Sequence, residues 1–86
     1  MQYINLFRYA IERYGERNQE EVAIEELSEL IQAICHKHRG RDNNIAEEIA
    51  DVEIMLAQLK IINQCSHQVE LIREQKIARL IERLKV

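Results

Sequence analysis

The chain has 86 residues, with 12 basic and 15 acidic side chains, a net charge of −3, two cysteines, two glycines and no proline. That length supports one small core, marginal on its own and often completed by oligomerisation. The acidic balance disfavours duplex nucleic acid as a partner, the scarcity of turn formers argues against a strand-rich fold, and no apolar run approaches the ~18 residues of a membrane span.

Tyr3, Leu6, Phe7, Ala10, Ile11 and Tyr14 recur at helical spacing and predict a first helix over residues 2–14, with Gly15 as a left-handed stop and Phe7 as core filler. Asn18 followed by Glu21 matches a capping box, which predicts a second helix over 18–38 that Gly40 ends. Its apolar stripe is Leu27, Leu30, Ile31 and Ile34, with Val22, Glu26, Glu29 and Ala33 running along one edge. Lys37, Arg39 and Arg41 crowd the connection that follows.

Asn44 with Glu47 is a second capping-box match and opens a third helix over 45–63. Ile45, Ile49, Val52, Leu56 and Leu59 form its stripe, and Glu48, Asp51, Met55 and Ile62 lie along the edge. Ala50, Ile54, Ala57 and Ile61 make its far side apolar too, so this helix is expected to be surrounded. Asn63, Gln64, Cys65 and Ser66 compete with helical hydrogen bonding and mark the break. A fourth helix over 67–85 has a stripe of Val69, Ile77, Leu80 and Leu84 flanked by Lys76, Arg79 and Arg83, which read as partners for helix acids or as a phosphate-binding line. The expected architecture is therefore all-α, four helices in an oligomeric bundle. Cys35 and Cys65 lack Cys-x-x-Cys spacing and no signal-peptide pattern opens the sequence, so buried free thiols in the cytoplasm are expected.

The functional signal is a near-repeat. Glu25-Glu26-Leu27-Ser28-Glu29-Leu30 is echoed by Glu47-Glu48-Ile49-Ala50-Asp51-Val52, each copy pairing two acids three residues apart beside an apolar stripe. Four carboxylates brought together across a helical hairpin repel and raise one another's pKa unless a cation offsets them. Hard oxygen ligands select Mg2+ or Mn2+ over zinc. The alternative is that Glu26, Glu29, Glu48 and Asp51 are ordinary solvated acids; their repetition in phase with the stripes favours metal.

These pairs, with the flanking text EELSELIQAICHKHRG, EEIADVEIMLAQL and the late Lys76-x-x-Arg79-Leu80-x-x-Arg83, resemble the signature of the MazG-like all-α nucleoside triphosphate pyrophosphohydrolases over residues 18–84. The resemblance implies a homodimer or homotetramer and Mg2+ held by Glu26, Glu29, Glu48 and Asp51. It also implies cleavage of a nucleoside triphosphate to monophosphate and pyrophosphate, so that surplus or non-standard nucleotides are cleared. In the reaction so implied, water would attack the α-phosphorus in line, with Glu25 or Glu26 as the candidate to orient or deprotonate it and Lys76, Arg79, Arg83 and Lys37 as candidates to meet the phosphates. Glu74 and Gln75 stand where many members carry an asparagine.

Two other readings use the same residues. The many-sided apolar surface of the third helix suits a non-catalytic oligomeric module that binds a nucleotide or a protein. A ferritin-like redox role is disfavoured, because no histidine follows a glutamate by three residues on a helix.

Overall fold

A computed structural model describes residues 2–86 as four helices, with no strand among them: α1 (Ile4–Tyr14), α2 (Glu16–His38), α3 (Ile45–Ile62) and α4 (Ser66–Leu84). A single residue joins the first two. Gly15, at φ 93° and ψ 144°, donates its N–H to the Ile11 carbonyl (2.8 Å) and accepts from the Gln19 N–H (3.0 Å). The positive φ is the one expected of a glycine stop, but the extended ψ turns the chain straight into the next helix. So α2 begins at Glu16 rather than Asn18, and the capping box of Asn18 and Glu21 does not form. Asn18 lies inside the first turn, and its amide donates to the Gln19 side chain at 3.1 Å.

The far end of α2 closes as the sequence predicts. Gly40 (φ 69°) donates to the Lys37 carbonyl at 3.0 Å and Arg41 to the His36 carbonyl at 2.9 Å, the paired bonds of a Schellman stop. The end of α3 uses the same geometry without glycine. Gln64 adopts φ 51°, donating to Ile61 at 3.1 Å, and Cys65 donates to Lys60 at 3.0 Å. A residue with a Cβ is strained there by about 1 kcal/mol. The Asn63 amide contributes a further bond to the Leu59 carbonyl at 2.9 Å.

The core is the seam between α2 and α3. Gln19 donates to Gln58 at 2.7 Å near one end, and Glu29 lies beside Glu48 further along, so the helices run antiparallel. Ala23 and Ala33 of α2 are almost fully buried, and Val52 and Met55 of α3 and Ile11 of α1 are the other buried apolar side chains. The seam on α2 follows Gln19, Ala23, Glu26, Leu30 and Ala33, a strict heptad spacing.

This corrects the expected stripes. Leu27, Ile31 and Ile34 are exposed, Ile31 to 62%, and only Leu30 turns partly inward. On α3, Val52 is buried, Ile45 and Leu59 are half-buried, and Ile49, Ile54 and Leu56 are exposed, so that helix is not surrounded within one chain. The reason is steric: alanines let the two backbones approach, which draws the seam onto the line of small and polar residues and leaves the larger side chains outside. Glu26 and Glu48 are accordingly in the seam rather than beside it, while Glu29 is exposed at its edge and Asp51 half-buried.

The fourth helix packs on α3 alone and buries no residue. Its expected core stripe is open: Val69 is half-buried, while Ile77, Leu80 and Leu84 are exposed. Leu56, Leu59, Cys65 and Val69 border a groove of about 520 Å³ where α4 diverges from α3. The radius of gyration, 15.6 Å, reflects that splay; a compact chain of this length has about 12 Å. The thiols also depart from expectation, since Cys35 is exposed and Cys65 half-buried; both lie off the seam.

Candidate metal centre

Antiparallel pairing brings Glu26 and Glu29 of α2 to Glu48 of α3, one carboxylate oxygen from each lying within 4.8 Å of the others. Their positions follow from the heptad. Glu26 occupies a seam position and Glu29 is one turn on, while Glu48 meets them from the first turn of α3. That turn is set by Asn44 at the N-cap, where the sequence places it. The expected Asn44–Glu47 capping box is not made, because the Asn44 side chain instead donates to Glu48 Oε1 at 2.8 Å.

Glu48 is only 5% exposed, and its second oxygen has no hydrogen-bond partner. One oxygen of Glu26 is likewise buried and unpartnered. A desolvated carboxylate oxygen without a donor is costly. Burial first, then the charges of Glu29, Asp51 and Glu48, raise the Glu26 pKa above its ordinary value. Burial also leads for Glu48, followed by the close approach and charge of the Glu29 carboxylate and the charges of Asp51 and Glu47, all raising it. No base offsets the group: among the described residues the one ion pair is Arg17–Glu21, 3.4 Å apart on the surface of α2.

Asp51, half-buried one turn beyond Glu48, is close enough to raise both pKa values but is not one of the three convergent ligands. Glu25 is exposed. A hollow of about 220 Å³ opens beside the cluster, lined by Glu29, Gln32, Ala33, His36, Asn44 and Glu48. Lys37 is exposed and does not line it. Lys76, Arg79 and Arg83 gather with Glu82 at a separate hollow on α4. That helix leaves α3 past Glu53, Leu56 and Lys60, round the helix from Glu48 and Asp51, so within one chain these cations neither pair with the acids nor border their hollow.

Asn44 and His36 were not read as site residues in the sequence. Asn44 stands four residues before Glu48, a spacing that was legible but overshadowed by its value as a cap; His36 gave no signal, since only the hairpin register brings it to the hollow.

The donor set fits a hard divalent cation. Three carboxylates converge, two carry oxygens lacking any donor, and neither thiolate nor a pair of imidazoles competes. No family model, curated protein or solved structure matches the chain.

Proposed function

We propose that the chain is a Mg2+-dependent nucleoside triphosphate pyrophosphohydrolase, acting as a homodimer or homotetramer in clearing nucleotide pools, with Mn2+ as an alternative ion. One observation carries this reading: carboxylates from two helices converge around buried oxygens that have no partner. Glu26, Glu29 and Glu48 would hold the ion, with Asp51 adding charge from the next turn. When bound, Mg2+ neutralises phosphate charge, polarises the α-phosphorus and supplies an activated water.

The chain's own residues supply the rest. Asn44 fixes the Glu48 carboxylate by donating to one oxygen, which leaves the other free to ligate. Glu25, which is exposed, and Glu26 are the carboxylates available to orient the attacking water and take its proton. The cations of Lys76, Arg79 and Arg83 stand off this hollow within one chain, so in this reading they meet the triphosphate of another copy; Lys37 joins from the end of α2.

A second reading is favoured by the exposed apolar sides of α2, α3 and α4: a non-catalytic oligomeric module that binds a nucleotide or a protein. Incubation with a panel of ribo- and deoxyribonucleoside triphosphates and Mg2+ separates the two. The hydrolase yields monophosphate and pyrophosphate. Orthophosphate as product, or no turnover of any nucleotide, counts against it and leaves the module.

A further inference from the structure

The α2–α3 hairpin is not closed at its tightest. Gln19 meets Gln58 and Glu29 meets Glu48, ten residues away along each helix, so one register runs between the two contacts without a bulge. Counted from them, Ile45 at the start of α3 is level with Gln32, and α2 continues six residues further to His38 before the chain turns back through residues 39–44. The overhang is about 9 Å long. It gives the metal hollow its far wall, since His36 belongs to it and Asn44 to the returning chain.

Apolar packing does not dictate this register. Sliding α3 one heptad toward His38 would fill the overhang, bringing Met55 to within a residue of the height of Leu30 and Val52 to within a residue of Ala33, apolar against apolar as before. The same slide carries Glu48 about 10 Å past Glu29, and the three carboxylates no longer converge. It also takes Gln58 to the level of Glu26 and leaves Gln19 beyond Ile62, the last residue of α3. What the observed register has and the slid one lacks is the amide pair.

That pair is buried and saturated. Gln19 and Gln58 are 6% and 4% exposed. Gln19 Nε2 donates to Gln58 Oε1 at 2.7 Å, Asn18 donates to Gln19 Oε1 at 3.1 Å, and Gln58 Nε2 meets the Met55 sulfur at 3.9 Å, so each amide oxygen and nitrogen is engaged. A buried polar pair adds little net stability over an apolar one of similar size, but a single alignment of the helices makes it, and fixing register is the best-attested use of polar residues in a helical seam. Each glutamine stands one heptad from an acid of the centre, Glu26 on α2 and Asp51 on α3.

We propose that Gln19 and Gln58 are positioning residues for the metal centre: their amide pair locks the α2–α3 register in which Glu26, Glu29 and Glu48 converge, and so sets affinity for the cation from about 15 Å away along the seam. Neither touches the ion or the substrate. The effect on the cation rests on the metal reading above; the register does not.

Two readouts on the Gln19→Leu, Gln58→Leu double variant test this. The first is Mg2+ binding by the full chain. Its dissociation constant rises tenfold or more, while helical circular dichroism and melting temperature stay at or above those of the wild type, because an apolar pair has replaced a polar one. A role in stability alone would do the reverse, lowering the melting temperature and leaving affinity unchanged. The second readout needs no metal. In a chain carrying Cys35→Ser, Cys65→Ser, Glu29→Cys and Glu48→Cys, a short bifunctional thiol reagent joins the two helices at a rate that falls fivefold or more when both glutamines are replaced by leucine. An unchanged rate or an unchanged affinity overturns the proposal. A wild type that binds no Mg2+ removes the metal reading instead, and the cross-linking rate still decides the register. Should the double variant fail to fold, Gln19→Ala is read by the same cross-link, and an unchanged rate there overturns the proposal equally.

Discussion

The two sides of one helical hairpin differ in what they leave unsatisfied. On the acidic side Glu48 is buried with a bare oxygen, and its environment raises the cost of its charge. On the apolar side Ile31 is 62% exposed, and what lacks a partner is hydrophobic surface. Each is left open within the chain: bare carboxylate oxygens on one side and exposed apolar surface on the other. The lesson is that small seam residues set which way the helices turn, and that choice puts the costly groups inside and the cheap ones out.

The comparison breaks most visibly at Glu48. Replacing it with Gln removes a ligand but little volume, and turnover of the preferred triphosphate should fall on the order of 10²–10³-fold. The metal-free protein should melt no lower than the wild type, because a buried charge is gone. Unchanged turnover, read by pyrophosphate release, would remove Glu48 from the centre.

Next in size is the seam itself. Ala23→Leu forces a larger side chain between α2 and α3 at a position 2% exposed and should cost about 1–3 kcal/mol in a denaturant melt. A cost below about 0.5 kcal/mol would mean that the helices are not held that close. Such a result would also unsettle the position of the acids.

Acidity sharpens the contrast without any mutation. Because the folded state raises the pKa of Glu26 and Glu48, it holds their protons more tightly than the unfolded chain does. Stability of the metal-free protein should therefore fall as pH climbs from their ordinary value of 4.5 through the raised values, then level off. Added Mg2+ should flatten or reverse that slope, since it binds the deprotonated form. A metal-free melting temperature that rises over the same window would contradict the electrostatic picture.

The smallest effect lies outside both sides, at the α3–α4 turn. Gln64→Gly relieves a left-handed residue and should stabilise by about 0.5–1 kcal/mol, a few degrees in melting temperature for a chain this size. No gain would show that the turn is not held at its left-handed angle in solution.

The helices themselves were readable because glycine and the Asn-rich loop punctuate them: Gly40 ends α2 and Asn44 opens α3 where the sequence places them. So were the paired acids, whose spacing is independent of how the helices are rotated. What was not legible is that rotation. Hydrophobic content points to Leu27, Ile31 and Ile34 as core, but Ala23, Ala33 and the Gln19–Gln58 hydrogen bond fix the contact instead. A stripe left exposed by the fold looks the same in one sequence as a stripe that is buried. The heptad through Gln19, Ala23, Glu26, Leu30 and Ala33 was present all along, disguised by its polar members. The start of α2 was missed for a local reason, because Gly15 turns the chain in one residue and leaves Asn18 nothing to cap.

Calorimetric titration of the metal-free protein with Mg2+, run in buffers of different ionisation heat, tests the central claim most directly. The account predicts saturable binding that releases protons, with release greater at lower pH, and its loss in Glu48→Gln. Absence of binding, or an identical titration from the Glu48→Gln protein, would contradict it.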